Sequence, residues 1–315
     1  MSNTDIDTEQ NPVFGIHDEN TLQQFEDVIS RAERGALMAD GHLGYVMPIG
    51  GVMAYRNKLS PVGVGFDIGC GNMAAKLDVK AEEFPLDPVL DFIENNIQFG
   101  LAKKNKSAPA DHEFFEDERW EAYPSKSIAE ELKAKAREQF GTVGSGNHYV
   151  DILKDEDGYI WLGNHFGSRR LGYETASGFI NLSQNKNWSD RTQEVEVLLD
   201  LNQPLGEAYY HAMNLAGRYA WLGREWVIHE IADEIGVEIL DTVHNNHNFA
   251  WKEEHSGEEL MVVRKGSTPA FPGQRGFVGG SMGDISVIIE GNESERSRKA
   301  LYSSIHGAGR VMSRT

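Results

Sequence analysis

The sequence predicts an α/β protein built as a single unit, with strand regions at both ends and helices inserted between them. Three observations carry this. The stretch from Gly41 to Gly71 is rich in glycine and β-formers. The stretch from Trp188 to Gly236 has small and aromatic residues at helical spacing, and after Glu258 the β-forming texture returns at Leu260–Arg264 and Ile285–Ile289. No low-complexity linker or internal repeat divides the 315 residues, a length that buries a substantial core.

In chain order, Met1–Gln10 is polar and acidic, without the basic and apolar regions of a secretory signal, and residues 1–12 are expected to be a frayed start. Asn20–Gly35 reads as a helix with Leu22, Phe25 and Ile29 on one face and Gly35 as its stop. Gly41–Gly71 reads as strands broken by tight turns. Ser127 and Glu130 read as a capping box before an amphipathic helix that stops at Gly141. Within Trp188–Gly236, Ala208, Tyr209, Ala212, Ala216, Tyr219 and Ala220 predict helices packed inside the molecule.

Composition narrows the function. Apolar residues make up 40 % and charged residues 25 %, and no apolar run approaches membrane-spanning length. One cysteine, Cys70, allows no internal disulfide and points to a reducing compartment, so a cytoplasmic protein is expected. Thirty Lys and Arg against forty-nine Asp and Glu give a net charge of −19, which argues against indiscriminate nucleic-acid binding. The cations Arg169, Arg170, Lys252, Arg264, Lys265, Arg275, Arg310 and Arg314 gather in sequence near glycine-rich loops and can form a local basic channel, while acidic residues crowd at Glu113–Glu121.

Potential metal ligands lie in short segments flanked by Gly or Asn: Gly65–Gly71 with Asp67 and Cys70, Gly144–His148, Gly163–Ser168 with His165, and His244–Asn248 with His247. A lone cysteine is most often core filler, and a single histidine beside glycine most often a turn residue; His17, His112, His211 and His229 are read that way. Together the segments form a mixed carboxylate, thiolate and imidazole set that suits borderline ions such as Zn²⁺, Mn²⁺ or Co²⁺. Gly279–Asp284 is a glycine turn whose N–H groups can cradle an anion. Ser303–Arg310 places His306 beside glycines and an arginine, the pattern of a nucleophile or acid/base next to an oxyanion cradle.

These segments, in this order, resemble the RtcB family of tRNA-splicing RNA ligases from Gly41 to Arg314. The motifs are His42-Leu43-Gly44 through Pro48-Ile49-Gly50-Gly51, Gly63–Gly71, Gly144–His148, Arg264-Lys265-Gly266, Gly280–Gly283 and His306–Arg310. The resemblance implies a single RtcB-like catalytic domain over residues 1–315, with mixed sheets around a central metal and nucleotide cleft. It implies two Mn²⁺ ions held by Asp67, Cys70, His148, His165 and His247, with Cys70 bridging as thiolate. It also implies GTP as cofactor and His306 as the residue that attacks its α-phosphate and becomes guanylylated. Asn147 and Asn248 match phosphate contacts, and Gly280, Ser281, Ser286, Ala308 and Gly309 match nucleotide-pocket positions. Asp151 stands where the family commonly has a Glu. Arg170, Lys265 and Arg310 would hold RNA.

The implied substrates are RNA with 2′,3′-cyclic phosphate or 3′-phosphate ends and 5′-hydroxyl ends, as in tRNA splicing or RNA repair, and an archease-like activating protein is an implied partner. Family members usually continue past the histidine motif into a segment that supplies a Lys and a Tyr to the guanine pocket. The sequence to Thr315 has no counterpart, so a domain lacking that extension is expected. Two other readings follow from this: a metal-dependent phosphoesterase that opens cyclic phosphates, and a non-ligating RNA- or nucleotide-binding relative.

Overall fold

The structure, a computed structural model, describes residues 7–109, 111–281 and 283–307. Of the expected frayed start, Asn11 and Pro12 are tied down: the Asn11 side-chain oxygen accepts from Gly35 N–H at 2.9 Å, and Leu37 N–H donates to the Pro12 carbonyl at 3.0 Å. Helix α1 (Glu19–Ile29) is capped by Asp18, whose carboxylate accepts from Thr21 N–H at 2.9 Å. It ends earlier than the sequence suggested. Gly35 is not its stop but lies in β1 (Arg34–His42), where a Cβ would collide with the Val52 carbonyl and the Ile29 side chain.

β2 (Ile49–Tyr55), β3 (Lys58–Leu59) and a short helix α2 (Pro61–Val64) follow, then a loop through Cys70 into β4 (Gly71–Lys80). Gly41–Gly71 is thus strand, turn and one helical turn rather than strands alone. After α3 (Leu86–Asn96) and 3₁₀ turns at Glu113–Glu116 and Glu118–Ala122 comes α4 (Lys126–Gln139). Ser125, not Ser127, caps α4: its extended backbone lets Oγ accept from Ile128 N–H at 3.3 Å, whereas Ser127 already lies inside the first turn. β5 (Tyr149–Lys154), β6 (Tyr159–Phe166) and α5 (Arg169–Ser183) lead to a long connection containing β7 (Leu199–Asp200), which pairs with β3. The helix expected from Trp188 begins only at α6 (Pro204–Ile235), because Pro204 presets its first turn; Gly236 ends it in the left-handed conformation. The remaining elements are β8 (Ile239–Asn246), β9 (Asn248–His255), β10 (Glu258–Lys265), β11 (Ser267–Pro269), β12 (Arg275–Val278), β13 (Val287–Glu290), α7 (Glu295–Lys299) and β14 (Ser303–Ile305).

Two four-stranded sheets organise the molecule. One, ordered β1-β2-β10-β9, joins N- and C-terminal strands, as the sequence texture predicted. The other, β5-β6-β4-β8, carries the candidate ligands. Every ladder between these strands is antiparallel, and β11–β14 and β12–β13 form small pairs beside them. Side chains on β4 alternate. Met73, Ala75 and Leu77 pack with Leu162 of β6 and Val227, Ile228 and Ile231 of α6, whereas Ala74 turns to the opposite face with Val243 and Phe277. The α6 residues Tyr209, Ala212, Ala216, Tyr219 and Ala220 are buried, as their spacing predicted. Among the described residues, no helix is long and apolar enough to cross a membrane.

Candidate metal and nucleotide site

Strand register brings the ligand candidates together. Gly71, the first residue of β4, pairs with Phe166 on β6 and with Asn246 on β8, while Tyr149, the first residue of β5, pairs with His165. His165 is in one of these pairs and Cys70, His148 and His247 directly adjoin them, so all four meet at one end of the sheet. The approach is close: a Cβ on Gly71 would collide with the Asn245 carbonyl oxygen. Backbone bonds lock the loops in place. His247 and Asn248 N–H both donate to the Cys70 carbonyl (2.8 and 3.2 Å), Gly69 N–H donates to the Asn248 carbonyl (2.8 Å), and Cys70 N–H donates to the Asp67 carbonyl (3.1 Å).

The side chains form two triads that share Cys70: Cys70, His165 and His247, and Asp67, Cys70 and His148. Within each triad the ligand atoms lie within 4.8 Å of one another. Cys70 Sγ is 3.2 Å from His165 Nε2 and 3.6 Å from His148 Nε2; His148 Nε2 is 2.9 Å from Asp67 Oδ2, and the Nε2 atoms of His165 and His247 are 2.9 Å apart. With His148 Nδ1–H donating to the Val143 carbonyl at 2.8 Å, its Nε2 lone pair points at a carboxylate and a thiol. Acceptors facing acceptors in a buried cluster are reconciled by a cation between them. The donor set of imidazole nitrogen, thiolate and carboxylate fits a borderline divalent ion.

Without a metal, burial lowers the pKa of His165 and His247 well below the ordinary histidine range, and the neighbouring cationic groups add to it. Burial and the Asp67 charge raise the Cys70 pKa. Burial also pushes Asp67 upward, but His148 and the Cys70 hydrogen bond outweigh it, so its carboxyl stays below the usual range. His165 and His247 are thus held neutral and Asp67 ionised, as ligands must be; the thiol needs a metal to lose its proton.

Arg224 braces the site from α6. Fully buried, it donates to the carbonyls of Gly69 (2.8 Å) and Phe166 (2.6 Å), to His244 Nε2 (2.9 Å) and to the Asn246 side chain, thereby tying the Cys70 loop to the ends of β6 and β8.

His306 stands beside this cluster, its ring centroid 5.0 Å from that of His247. Asp40 Oδ2, on β1, accepts from His306 Nδ1 at 2.6 Å, from His306 N–H at 3.0 Å and from Gly307 N–H at 3.4 Å. Burial pushes the Asp40 pKa up, yet the His306 contacts bring it below the usual range, so it stays ionised at neutral pH. A parallel bridge between Gly279 and Gly307 sets the Gly279–Ser286 loop against the histidine, and within that loop Gly280 N–H donates to Ser286 Oγ at 3.0 Å.

The sequence matches the family described as tRNA-splicing ligase RtcB over residues 25–315. The chain belongs to the RtcB family. RNA-splicing ligase RtcB of Escherichia coli (strain K12) is 32 % identical over 308 residues, covering 89 % of this chain and 74 % of that protein. A tRNA-splicing ligase RtcB of Thermococcus kodakarensis is 30 % identical over 356 aligned residues, covering 88 % and 73 % respectively.

The phosphate and nucleotide positions that the RtcB resemblance singled out are placed as follows where the structure describes them. Asn147 is exposed next to His148. Asn248 Oδ1 accepts from Gly266 N–H at 2.8 Å, which leaves its amide N–H groups for other partners. Asp151 lies on β5 opposite Gly163, two residues beyond Tyr149 and on the same face. Gly280, Ser281 and Ser286 line the loop against His306, whereas Ala308, Gly309 and Arg310 lie outside the described residues.

The described cations of the basic channel expected from sequence clustering each have other contacts. Arg264 pairs with Glu253 (2.6 Å), Arg275 with Asp241 (2.7 Å) and Arg170 with Glu174. Arg169 donates to Thr142 Oγ1 (3.2 Å) and the Gly100 carbonyl (3.3 Å). Lys252 lies over the Tyr210 ring, 5.2 Å from its centroid. Lys265 is buried with Nζ donating to the Val62 carbonyl at 3.3 Å, and burial lowers its pKa to about 8. Arg314 lies outside the described residues.

The sequence reading missed Asp40 and Arg224. Each left a signal: a lone acid two residues before His42 in a glycine-rich strand, and a charge inside an otherwise apolar helix face, where an arginine is almost never buried without partners.

Proposed function

We propose that this chain is a GTP- and Mn²⁺-dependent ligase that joins RNA 2′,3′-cyclic phosphate or 3′-phosphate ends to 5′-hydroxyl ends through a guanylylated His306, acting in cytoplasmic tRNA splicing or RNA repair. One observation carries the reading: Asp40 holds the His306 Nδ1 proton, so the Nε2 lone pair is free to attack beside the cluster of ligands. The names of the E. coli and T. kodakarensis relatives support RNA as the substrate class.

In this mechanism His306 Nε2 attacks the α-phosphorus of GTP, a P–N bond forms, and pyrophosphate leaves. The ring gains positive charge while keeping its Nδ1 proton, and the Asp40 carboxylate offsets that charge. A 2′,3′-cyclic end is first hydrolysed to a 3′-phosphate. That phosphate takes GMP from the histidine, and the 5′-hydroxyl of the second RNA then displaces GMP to form the phosphodiester. Asp67, Cys70, His148, His165 and His247 would hold two ions, with Cys70 shared; when bound, such ions supply Lewis-acid neutralisation of phosphate charge. Asn147 and Asn248 are assigned to phosphate. Asp151, Gly280, Ser281, Ser286, Ala308 and Gly309 are assigned to the nucleotide, and Arg170, Lys265 and Arg310 to RNA ends. An archease-like protein is a proposed activator.

Incubation with Mn²⁺ and α-labelled GTP tests this. Wild type is expected to carry acid-labile, alkali-stable label, and His306→Ala to carry none. Absence of label on wild type, or its persistence in His306→Ala, overturns the mechanism. ATP in parallel reads base selectivity. With RNA bearing a cyclic end, hydrolysis without a joined product assigns the chain to the phosphoesterases instead.

A further inference from the structure

Three aromatic rings form a half-exposed row at the rim of the cluster. Phe66 immediately precedes Asp67 and is anchored against the hydrophobic core. Tyr45 meets it edge-on, centroids 6.1 Å apart at 85°, and Tyr173, on α5, also contacts it at 5.5 Å and 36°. The outer rings are unusually open: Tyr45 is 63 % and Tyr173 55 % exposed. Folding alone does not account for them, because rings of this size are normally buried or used.

Their positions are fixed. Gln24 on α1 donates to the carbonyls of Gly44 (3.0 Å) and Tyr45 (2.6 Å) and accepts from Gly44 N–H (2.9 Å), clamping the Tyr45 turn. Tyr173 is carried by a regular helix, one turn beyond Arg170. Cations flank the row: Lys265 Nζ lies 5.6 Å from the Tyr45 centroid, and Arg170 carries a half-exposed guanidinium.

We propose that Tyr45, Phe66 and Tyr173 form a stacking platform for the unpaired bases of a single-stranded RNA end whose terminal phosphate reaches the cluster at Asp67. The inference rests on the RNA-ligase reading for its substrate. Two observations favour a nucleobase over a protein side chain. The row is continuous with the cluster through the Phe66–Asp67 peptide. The chain is strongly acidic, and Arg170, Arg264 and Arg275 each share their charge with a carboxylate, so phosphate attraction is a weak handle and π-faces supply grip. Aromatic stacking is sequence-tolerant, so the platform accepts any base.

The test measures affinity of the full chain for a short, single-stranded, 3′-phosphorylated RNA and for the same RNA with an abasic 3′-terminal nucleotide, by fluorescence anisotropy across a salt series. Tyr173→Ala and Tyr45→Ala are each expected to weaken the intact RNA about ten-fold. Tyr173→Phe is expected to restore binding, and the abasic RNA to bind wild type weakly and not respond to either alanine. The salt dependence is expected to be shallow. Unchanged melting temperatures check that the surface variants stay folded. Affinity unmoved by both alanines overturns the platform and returns the rings to a protein-facing role; a Tyr173→Phe variant as weak as the alanine does the same. Guanylylation is a separate readout: a wild type that binds RNA through these rings but takes no label from GTP overturns the ligase reading and leaves the platform standing.

Discussion

The two sides of the site are built differently. On the metal side, strand register and backbone hydrogen bonds place every candidate ligand, and the buried Arg224 ties the strand ends together from behind. On the nucleotide side, one isolated bridge among the described residues sets the Gly279–Ser286 loop beside His306, a side-chain hydrogen bond closes the loop on itself, and Ile285 within it is 86 % exposed. A divalent ion tolerates little displacement of its ligands, so its cage belongs on paired strands. A nucleotide must enter and leave, so its cradle belongs on a loop with few contacts. The contrast predicts that damage on the metal side abolishes function whereas damage on the loop grades it.

Cys70→Ala should break the contrast most completely. The two triads share this one sulfur, so its loss should empty both ion sites, and metal per chain should fall towards zero by elemental analysis after gel filtration. The affinity loss should exceed the roughly 10–100-fold that removal of an outer partner costs. Retention of one tightly bound ion by the variant would refute a shared ligand. Asp40→Asn comes next. The oxygen facing Nδ1 also accepts from the His306 and Gly307 N–H groups, so an amide keeps its oxygen there but brings no charge to offset that of the reacting ring. Labelling by GTP should slow by about 10²–10⁴-fold, in line with loss of an orienting carboxylate elsewhere, while metal content stays at the wild-type level. A wild-type labelling rate would show that the Asp40 charge does not assist the attack.

Ser286→Ala probes the loop side. It removes the acceptor for Gly280 N–H, a hydrogen bond worth about 1 kcal/mol, so the GTP concentration giving half-maximal labelling should rise about five-fold. The metal content and the maximal rate are expected to stay close to wild type, and a loss of bound metal would show that the two sides are coupled after all.

The sequence revealed the metal side better than it revealed its supports. Asp67, Cys70, His148, His165 and His247 stood out because glycine and asparagine surround chemistry-bearing side chains, and the structure gathers all of them. The strand texture at both ends predicted the sheet that joins them, and α6 buries the residues its spacing marked. What stayed hidden depends on long-range contact. Asp40 and His306 are 266 residues apart and meet because β14 packs against β1. The ion pairs of the basic residues were hidden for the same reason, because Arg264 and Arg275 meet carboxylates from other strands. Local boundaries went wrong where a glycine or serine served a different strand or turn than its neighbours suggested, as at Gly35 and Ser125.

The smallest effect at neutral pH lies in the brace itself. His244 stacks on Trp221 with centroids 3.4 Å apart and accepts from Arg224 at 2.9 Å. Burial is the main cause that lowers its pKa to about 3, with the Arg224 charge adding to it and Glu225 opposing. In the unfolded chain the same group titrates near 6.5. Below that pH the unfolded state takes up a proton that the folded state refuses, so stability falls as pH drops from about 6.5 towards 3, by about 1.4 kcal/mol per pH unit for this one group. The buried His165 and His247 shift in the same direction in the metal-free protein and steepen the fall. Urea unfolding of metal-free protein at pH 7 and pH 5 should show this loss. His244→Gln keeps an acceptor for Arg224 but cannot titrate, so its slope should be shallower by one proton's worth. An identical slope in the variant would mean that His244 takes up a proton inside the fold, and that Arg224 does not bind it as a neutral acceptor.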